Sequence, residues 1–409
     1  MEENKKNKFP NVPNLRFGGS TVNLSKCLIE DMFLFLKTNS LSREELSYDY
    51  GSIKNIHYGD ILTKYPILLD TTKNKIPFIL DGIILGNKKD YLLTGDIVIA
   101  DTAEDYLVGK AIEIQNPENI RIVSGLHTIA IRPKKLFANG FLGFYFNSAP
   151  FKKRCYPAIQ GIKVYSISKS ALLRMTICYP DIIEQEKISR TLVLLDLKID
   201  VQNKILEKLE SLKIGIKEKV YLLGKEKESF GKILNERSEK STLQNQYPVL
   251  SSTVKGLFLQ SEYFDRSVSS DNNVGYKIVH KDQIIISPQN LWMGNLTFND
   301  KYESGIVSPS YKIYDIDKKY SKRYIYWLLT SKRSFFNYGL VSEQGASIVR
   351  RNLNLDAFME LCLPVIQDTN MQEKIEKLIN LIEKKIEAEK KRGDLLNQQK
   401  SFLLSNLFI

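Results

Sequence analysis

Short runs of basic side chains occur at a few points of the sequence, and their chemistry suits contact with phosphate groups. Lys152, Lys153 and Arg154 are consecutive, and the aromatic Tyr156 follows two residues later. Lysine and arginine side chains neutralise the phosphates of a nucleic-acid backbone. A solvated basic turn has the same composition, so the sequence leaves both interpretations open.

Amide and guanidinium groups form a second set of candidates, suited to the edges of bases. Arg350 and Arg351 can pair with guanine edges or with phosphates. Gln160 and Gln344 each precede a glycine, and their amides could read adenine. The alternative for both glutamines is a turn in which the glycine supplies the backbone conformation and the glutamine caps backbone groups.

Further residues are candidates either for nucleic-acid contact or for ordinary support of the fold. A tryptophan belongs to a core more often than it contacts a base, so the supporting role stays open for this set. The residues are Lys54, His57 and Tyr58, and Asn290 and Trp292. Lys332 and Arg333 form a second basic pair, with the same two interpretations as the run from Lys152 to Arg154.

The overall charge favours a polyanionic partner. The chain of 409 residues carries 59 lysines and arginines against 47 acidic residues, a formal charge of +12. An excess of this size favours nucleic acid as the partner. The length exceeds what a single core usually serves, which predicts two domains.

Neither a membrane segment nor a metal site is expected. No apolar run approaches the ~20 residues of a membrane helix. The stretch from Met1 to Lys8 lacks the apolar centre of a signal peptide, so we expect a cytoplasmic protein. The four cysteines form no Cys-x-x-Cys pair, and three histidines give little from which to build a zinc site. The cysteines are predicted to be buried free thiols.

Two long helices are predicted to position the candidate residues. Between Asp181 and Leu223, apolar side chains recur at alternating steps of four and three residues, the heptad pattern of helices that bury a shared seam. Adding 187 to each residue number reaches a second copy between Asp368 and Leu407. The first seam consists of Ile188, Leu192, Leu195, Ile199, Gln202, Leu206, Leu209, Lys213, Ile216, Val220 and Leu223.

Polar residues interrupt both seams at matching places. Gln202 corresponds to Glu389, and Lys213 corresponds to Lys400. Such residues either fix the register of the two helices or face solvent where the helices diverge. At ~1.5 Å per residue, some 40 residues span on the order of 60 Å, so the helices are predicted to act as spacers.

The helix repeat belongs to a larger duplication with an offset of 184 residues. The predicted plan is domain, helix, domain, helix, with segments 1–180, 181–228, 229–364 and 365–409. The matching segments are Cys178-Tyr179-Pro180 with Cys362-Leu363-Pro364, Gln160-Gly161 with Gln344-Gly345, and Ile122-Val123-Ser124 with Ile306-Val307-Ser308.

Each domain is predicted to be α+β, with a small strand-rich core. Short β-like runs are broken by glycine, aspartate and proline. The predicted strands are 61–62, 78–80, 83–85, 96–100, 112–114 and 128–131 in the first domain, and 247–251, 276–279 and 283–286 in the second. The predicted helices are 140–146 and 324–330, and 224–231 is expected to be a charged turn.

Motifs of DNA-modifying enzymes are missing from the sequence. Ser308-Pro309-Ser310-Tyr311 does not match the Asn/Asp-Pro-Pro-aromatic segment of adenine methyltransferases. The glycines at 224 and 231 are too far apart for a P-loop. Glu113-Ile114-Gln115 lacks the lysine of a nuclease site. The chain is therefore predicted to be non-catalytic.

Several short segments, in their order within the duplicated plan, resemble those of a known family. They are Leu15-Arg16-Phe17, residues 54–60 (KNIHYGD), residues 287–294 (SPQNLWMG), residues 305–310 (GIVSPS) and the Gln-Gly pair before each helix. In this combination, the chain resembles the specificity subunit of type I restriction-modification systems over nearly its whole length.

The resemblance implies that each domain recognises one part of a split double-stranded DNA site, with the helices holding the two apart by a fixed number of unread base pairs. It also implies two modification subunits docked on the helices, joined by restriction subunits. S-adenosylmethionine, ATP and Mg²⁺ would then belong to those partners, and no cofactor to this chain. Because the two domains have diverged, two different half-sequences are predicted. The rival interpretation is a coiled-coil scaffold whose globular ends bind protein.

Overall fold

Two long helices dominate the chain, and each contributes to both of its structural units. The first long helix is Ile182–Leu223 (42 residues), and the second long helix is Thr369–Asn406 (38 residues), as the heptad pattern predicts. Unit 1 comprises Met1–Asn203 with Lys391–Ile409, and unit 2 comprises Lys204–Lys390. The computed structural model describes residues 12–18, 24–83, 85, 90–117, 121–263, 272–344 and 351–409.

Unit 1 consists of short strands and short helices around one end of the long helices. Its strands are β1 (Ser25–Leu28), β2 (Phe33–Phe35), β3 (Leu46–Ser47), β4 (Lys54–Ile56), β5 (Leu68–Asp70), β6 (Phe78–Ile79), β7 (Ile97–Ala100), β8 (Thr102–Ala103), β9 (Ala111–Gln115), β10 (Ile122–Ser124), β11 (Thr128–Pro133), β12 (Ile159–Gln160), β13 (Tyr165–Ile167) and β14 (Thr176–Tyr179). Its short helices are Ile29–Met32, Tyr58–Thr63, Phe141–Phe146, Ala149–Cys155 and Lys169–Leu173.

The main sheet of unit 1 has the order β2-β11-β7-β9-β5 and separates two apolar clusters. Successive side chains of a strand point to opposite faces. In β7, Ile97 and Ile99 join the cluster around helix Phe141–Phe146, while Val98 and Ala100 join the cluster on the other face. Strand β7 is covered on both faces, which explains why all of its residues are apolar.

The two long helices complete the core of unit 1. Ile188 and Leu192 from the first long helix pack in the same cluster as Leu407 and Phe408, which follow the second. The Phe408 ring centroid lies 5.7 Å from that of Phe141. The start of one helix therefore lies beside the end of the other, which makes the pairing in this unit antiparallel.

The start of the described chain also meets the second long helix. The backbone amide of Leu15 donates to the carbonyl oxygen of Asn406 at 2.9 Å. The side-chain amide of Asn14 donates to the side-chain oxygen of Asn406 at 3.1 Å. Residues near both ends of the chain are therefore adjacent in unit 1.

Unit 2 has a similar plan, with the end of the first long helix and the start of the second. Its strands are β15 (Glu226–Ser229), β16 (Leu234–Arg237), β17 (Leu250–Thr253), β18 (Gly256–Leu259), β19 (Lys277–His280), β20 (Ile284–Ile286), β21 (Leu296–Phe298), β22 (Ser304–Val307), β23 (Lys312–Ile316), β24 (Ser342–Gln344), β25 (Arg351–Leu353) and β26 (Cys362–Val365). Its short helices are Phe230–Ile233, Gln260–Tyr263, Lys322–Leu329, Lys332–Leu340 and Leu355–Glu360.

The sheet order of unit 2 matches that of unit 1. The order β16-β23-β20-β21 repeats β2-β11-β7-β9, and β15 pairs with β26 as β1 pairs with β14. The core includes Val220 and Tyr221 from the first long helix with Ile375 and Ile379 from the second. The predicted α+β architecture with paired antiparallel helices is confirmed.

The heptad seams are confirmed by burial. Ile188, Leu192 and Leu195 are at most 5% exposed, whereas Leu194 and Leu197, which are off the seam, are 51% and 56% exposed. The middle of the first seam is half-buried, apart from the buried Gln202, and Leu223, the last helical residue, is 58% exposed. Burial of the seam follows from period 3.5 because only that stripe faces the partner helix.

The lysines that interrupt the seams form ion pairs between the helices. Lys213 Nζ lies 3.1 Å from Glu383 Oε1 in unit 2. In unit 1, Lys400 Nζ lies 2.6 Å from Asp196 Oδ1. Adding 187 converts Lys213 into Lys400 and Asp196 into Glu383, so these are two copies of the same contact. Of the two alternatives open from the sequence, the register-fixing role is supported.

A buried glutamine in each copy joins its long helix to the neighbouring domain. Gln185 Oε1 accepts from the amide of Ala138 at 3.0 Å, and its Nε2 donates to the carbonyl of Pro180 at 2.8 Å. Gln372 makes the same two kinds of bond, with the amide of Ser321 and the carbonyl of Ile366, each at 2.7 Å. The helices are thus hydrogen-bonded to the domains as well as packed against them.

Several local predictions are wrong. Residues 61–62 belong to helix Tyr58–Thr63 instead of a strand, because the apolar pair is the buried face of an amphipathic turn. The expected charged turn at 224–231 contains β15, whose hydrogen bonds to β26 override its composition. The strand expected at 247–251 is displaced to Leu250–Thr253. In 83–85, residue 84 lies outside the described residues, and its two neighbours are not in a strand.

The sequence match Cys178-Tyr179-Pro180 with Cys362-Leu363-Pro364 is two residues out of register. Thr176 pairs with Leu28, the residue before helix Ile29–Met32. Cys362 pairs with Ser229, the residue before helix Phe230–Ile233. Hydrogen-bond register therefore equates Thr176 with Cys362 instead of Cys178 with Cys362.

The cysteines differ in burial more than the sequence predicted. Cys155 is buried, Cys27 and Cys178 are half-buried and Cys362 is exposed, so the prediction is wrong for Cys362; all four are free thiols. None of the helices in the described ranges combines the length and the apolar character that crossing a membrane requires.

Glu113 is a buried acid that holds the start of a core helix in unit 1. Its carboxylate accepts from the amides of Gly140 and Gly143 at 2.6 and 2.7 Å and from the side chain of Gln115 at 3.1 Å. Burial raises the pKa of Glu113 to about 7, although these donors act in the opposite direction. Folding therefore changes the proton affinity of this group.

Replacement of Phe408 by alanine is expected to destabilise the chain by about 3–5 kcal/mol, because it opens a cavity in the core of unit 1. Phe408 is 4% exposed, whereas Phe402 is 58% exposed on the second long helix. Phe402→Ala is the matched control and should cost under about 0.5 kcal/mol. Thermal unfolding of the two full-length variants measures the difference; equal melting temperatures would contradict the assignment of Phe408 to the core.

The raised pKa of Glu113 predicts a pH-dependent stability. Because the folded chain holds this proton more tightly than the unfolded chain, the stabilisation is present below pH 4.5 and is lost as pH rises through about 7. Glu113→Gln should remove a decline on the order of 3 kcal/mol over that range. Unfolding measured against pH tests this, with exposed Glu30→Gln as the control. An unchanged slope in Glu113→Gln would contradict it.

Candidate nucleic-acid interface

In unit 2, the hairpin of β24 and β25 presents two candidate residues side by side. Gln344 stands directly opposite Arg351 in the antiparallel register. Residues in this relation project their side chains to the same face. Gln344 is exposed, and Arg351 is half-buried. An amide and a guanidinium group are therefore neighbours; Arg350, the adjoining candidate, lies outside the described residues.

The loop between β20 and β21 lies against this hairpin. The backbone amide of Arg351 donates to the carbonyl oxygen of Gln289 at 3.1 Å. The loop contains a 3₁₀ turn, Leu291–Met293, in which Leu291 is fully buried. Because Leu291 anchors the turn in the core, the next residue, Trp292, is held at a defined place beside the strand.

The side chain of Arg351 lies over the indole ring of Trp292. Its Cζ atom is 4.2 Å from the ring centroid, a distance typical of a cation on an aromatic face. Its Nη1 donates to the carbonyl oxygen of Gly339 at 3.4 Å. Asn290 is half-buried in the same loop, two residues before Trp292. The structure thus brings together Asn290, Trp292, Gln344 and Arg351.

Lys332 and Arg333 line a different surface of unit 2. They start helix Lys332–Leu340 and border a cavity of about 740 Å³. Arg333 lies 3.5 Å from Glu218 and 5.5 Å from the ring centroid of Tyr221, both on the first long helix. Their contact with nucleic acid stays a prediction, and Arg333 already supports packing against that helix.

In unit 1, a three-stranded sheet with the order β12-β13-β8 holds the matching glutamine. Gln160 stands opposite Ser166, and Ser166 stands opposite Thr102. The next residue, Gly161, has φ of 115°, and a Cβ atom there would lie 1.9 Å from the carbonyl oxygen of Val164. Glycine therefore supplies the turn, while Gln160 is exposed beside a serine hydroxyl.

A row of polar and aromatic side chains continues from this sheet. Thr102 Oγ1 lies 3.3 Å from His127 Nδ1, and the His127 ring centroid lies 5.2 Å from that of Tyr58. His57 contacts Tyr58, with centroids 4.6 Å apart. Its Nδ1 accepts from the amide of Gly59 at 3.2 Å, which caps helix Tyr58–Thr63, and burial lowers the pKa of His57.

The basic run of unit 1 lies on helix Ala149–Cys155 and is divided between core and surface. Arg154 Nη2 donates to the hydroxyl of Tyr145 and to the carbonyl of Ile409, both at 2.7 Å. Lys152 is half-buried, and burial lowers its pKa. Lys153 is exposed. Arg154 has a packing role beside its untested DNA contact, and Lys153 is the better placed of the run for phosphate.

Lys54 and Tyr156 are the two remaining candidate residues of unit 1. Lys54 lies in β4, with Nζ 5.3 Å from the ring centroid of Phe78. Tyr156 is 50% exposed in the 3₁₀ turn Tyr156–Ala158 that leads into β12. At both positions, contact with DNA stays a prediction.

Sequence analysis missed residues that the sheet of unit 1 places beside Gln160. Ser166, Thr102 and His127 come from separate parts of the chain and meet only through strand pairing. The tip of the same hairpin exposes 93% of Ile162. Pairing of the run 165–167 with 159–160 across Gly161 was the available signal, because a glycine between short runs marks a hairpin.

The side chains of the two clusters are hydrogen-bond donors and acceptors. Amides, hydroxyls and a guanidinium group donate and accept at base edges and phosphates. Within the described ranges, no group of three or more histidine, cysteine, aspartate or glutamate side chains is arranged to hold a metal ion.

No protein-family model and no curated protein matches the sequence. The type I restriction-modification system S subunit from M. genitalium superposes with a TM-score of 0.54 and 15% identity, covering 97% of this chain and 99% of that one. A chain from a study of complex assembly and conformational transition of the type I R-M system superposes with a TM-score of 0.58 and 12% identity, covering 96% and 98%.

These similarities extend over nearly all of each chain, so they include both units and both long helices. At such low identity they establish a common fold and leave individual residue roles untested. The resemblance drawn from the sequence is confirmed at this level, and the chain has the fold of type I restriction-modification S subunits.

Proposed function

We propose that this chain is the DNA sequence-specificity subunit of a type I restriction-modification complex. Each globular domain recognises one half of a bipartite double-stranded DNA site. The single observation that carries the proposal is the duplicated unit, in which matching hairpins present Gln160 and Gln344. Two diverged copies of one reader suit a site with two different halves, because each copy can be altered independently.

The long helices separate the two readers in this proposal. The ion pairs Lys213–Glu383 in unit 2 and Lys400–Asp196 in unit 1 favour one register of the helices. A fixed register sets a fixed number of unread base pairs between the half-sites. The outer faces of the helices carry exposed Leu194, Leu197 and Leu381, and such apolar residues suit docking of two modification subunits.

Catalysis belongs to the partners in this proposal. The modification subunits would bind S-adenosylmethionine, and the restriction subunits would use ATP and Mg²⁺. This chain contributes positioning, because base identity is read by side chains in the grooves while phosphate contacts fix orientation. The clusters around Arg351 and Gln160 provide the first kind of group, and Lys153 provides the second.

Adenine methylation across a host genome should reveal a split, asymmetric motif only when this chain is present with its modification subunit. The comparison strain carries the same modification subunit and lacks this chain. Exchange of the segment 1–180 for that of a related subunit should alter one half of the motif, because each domain reads its own half. A motif with identical inverted halves would contradict the asymmetric site.

Absence of any motif that depends on the chain would favour the scaffold instead, provided that the complex is shown to assemble. A scaffold has little affinity for DNA, whereas a protein bound mainly through phosphates loses affinity steeply as salt is added. Binding of the assembled complex to duplex DNA at several salt concentrations separates these two functions.

Lys153→Ala should weaken binding of duplex DNA equally for all sequences and lower the salt slope by about 1, because it removes one phosphate contact. Fluorescence anisotropy of the complex between about 50 and 200 mM salt measures this slope. Lys187→Ala is the matched control, since Lys187 is exposed on the first long helix. An unchanged slope in Lys153→Ala would exclude Lys153 as a phosphate contact.

A further inference from the structure

The two reader hairpins differ at the residue opposite the shared glutamine. In unit 1, Gln160 stands opposite Ser166. In unit 2, Gln344 stands opposite Arg351. A hydroxyl in one copy is therefore replaced by a planar cation in the other, on the same face as the glutamine.

Arg351 is fixed both at its backbone and at its side chain. Its amide is hydrogen-bonded to Gln289, which ties β25 to the neighbouring loop. Its guanidinium group lies 4.2 Å above the ring of Trp292, and Nη1 reaches Gly339 at 3.4 Å. A long side chain held in this way loses less conformational entropy when it binds than a mobile one.

The described residues around Arg351 do not neutralise its charge. Within the described part of the chain, no carboxylate lies at ion-pair distance from Arg351, whereas Arg237 of the same unit lies 2.6 Å from Asp315. A guanidinium group that stacks on an aromatic face holds its N–H edge roughly parallel to the ring, which limits the directions from which an acceptor can meet it. A phosphate can also accept both N–H groups of the fork, so loss of preference at one base pair, instead of a uniform loss of binding, is what distinguishes a guanine contact from a phosphate contact.

Guanine is the base that matches this group. Its O6 and N7 atoms both accept hydrogen bonds in the major groove, so a guanidinium fork can donate to both. Adenine has N7 as acceptor but a donating N6 amino group, which opposes a second N–H. The neighbouring Gln344 amide suits the adjacent base pair.

We propose, building on the function proposed above, that Arg351 reads a guanine in the half-site recognised by unit 2, with Trp292 as its positioning residue. The hairpin of unit 1 has Ser166 at the corresponding position and lacks this guanidinium contact. The two half-sites therefore differ in this guanine requirement.

The test is genome-wide adenine methylation by the complete complex carrying Arg351→Ser, the residue found in the other hairpin. Preference for guanine at one position of one half-site should fall about tenfold or more, while the other half stays unchanged. Arg351→Lys should weaken the same preference at the same position, because lysine keeps the charge but lacks the planar fork that lies on Trp292. Arg237→Ser, the matched loss of an arginine in this unit, should leave the motif unchanged.

Trp292→Phe keeps an aromatic face and should retain most of the guanine preference, whereas Trp292→Ala should lose it. Recovery in the phenylalanine variant distinguishes positioning from a general loss of stability. Melting temperatures of all variants identify any that fail to fold, and Arg351→Lys then decides the matter, since it changes the fewest contacts.

The outcomes separate the guanine assignment of Arg351 from the proposed specificity function. An unchanged motif in Arg351→Ser, or methylation reduced equally at all sites, overturns the guanine assignment while the specificity function stands. A change in both half-sites also overturns it. If the wild-type complex itself yields no motif that depends on this chain, the proposed function fails, and the assignment fails with it.

Discussion

Burial of one heptad stripe against another is the constraint on which the structure depends. Neither long helix could bury its seam alone, and each unit takes the beginning of one helix and the end of the other. Antiparallel pairing thus makes the two ends of the helix pair alike, because each end offers the same kinds of residue to the domain beside it. The duplicated sequence therefore gives each domain a similar pair of helix segments to pack against.

The contacts at these ends are specific as well as apolar. Hydrophobic packing alone would tolerate a shift of one heptad, since leucine and isoleucine recur along the seam. The ion pairs of Lys213 and Lys400 and the buried glutamines Gln185 and Gln372 remove that freedom. A domain attached through a buried side-chain amide has a defined orientation on its helix. The proposed reading of base edges needs such a defined orientation, because hydrogen bonds fail when donors are misplaced.

Periodicity was the most reliable signal in the sequence, and strand pairing the least. The long helices follow from a heptad repeat that is visible in the local sequence, so their bounds were predicted closely. By contrast, β15 has the composition of a charged turn and becomes a strand only by pairing with β26, far away in sequence. The cluster of Trp292 and Arg351 was beyond prediction for the same reason, although both residues were candidates individually. His127 was not a candidate at all, because its neighbours Thr102 and Tyr58 are supplied by folding.

The contact of Leu15 with Asn406 bears on the order of the elements along the chain. In unit 2, the first long helix runs directly through the chain into β15, whereas in unit 1 the corresponding junction is a hydrogen bond between segments distant in sequence. In unit 2 the end of a long helix is thus joined to the next segment by the chain itself, whereas in unit 1 it is joined by a hydrogen bond. Chain order is therefore not fixed by the architecture: a circular permutant opened after Leu223, with residue 409 linked to residue 1, would contain the same elements in a cyclic order.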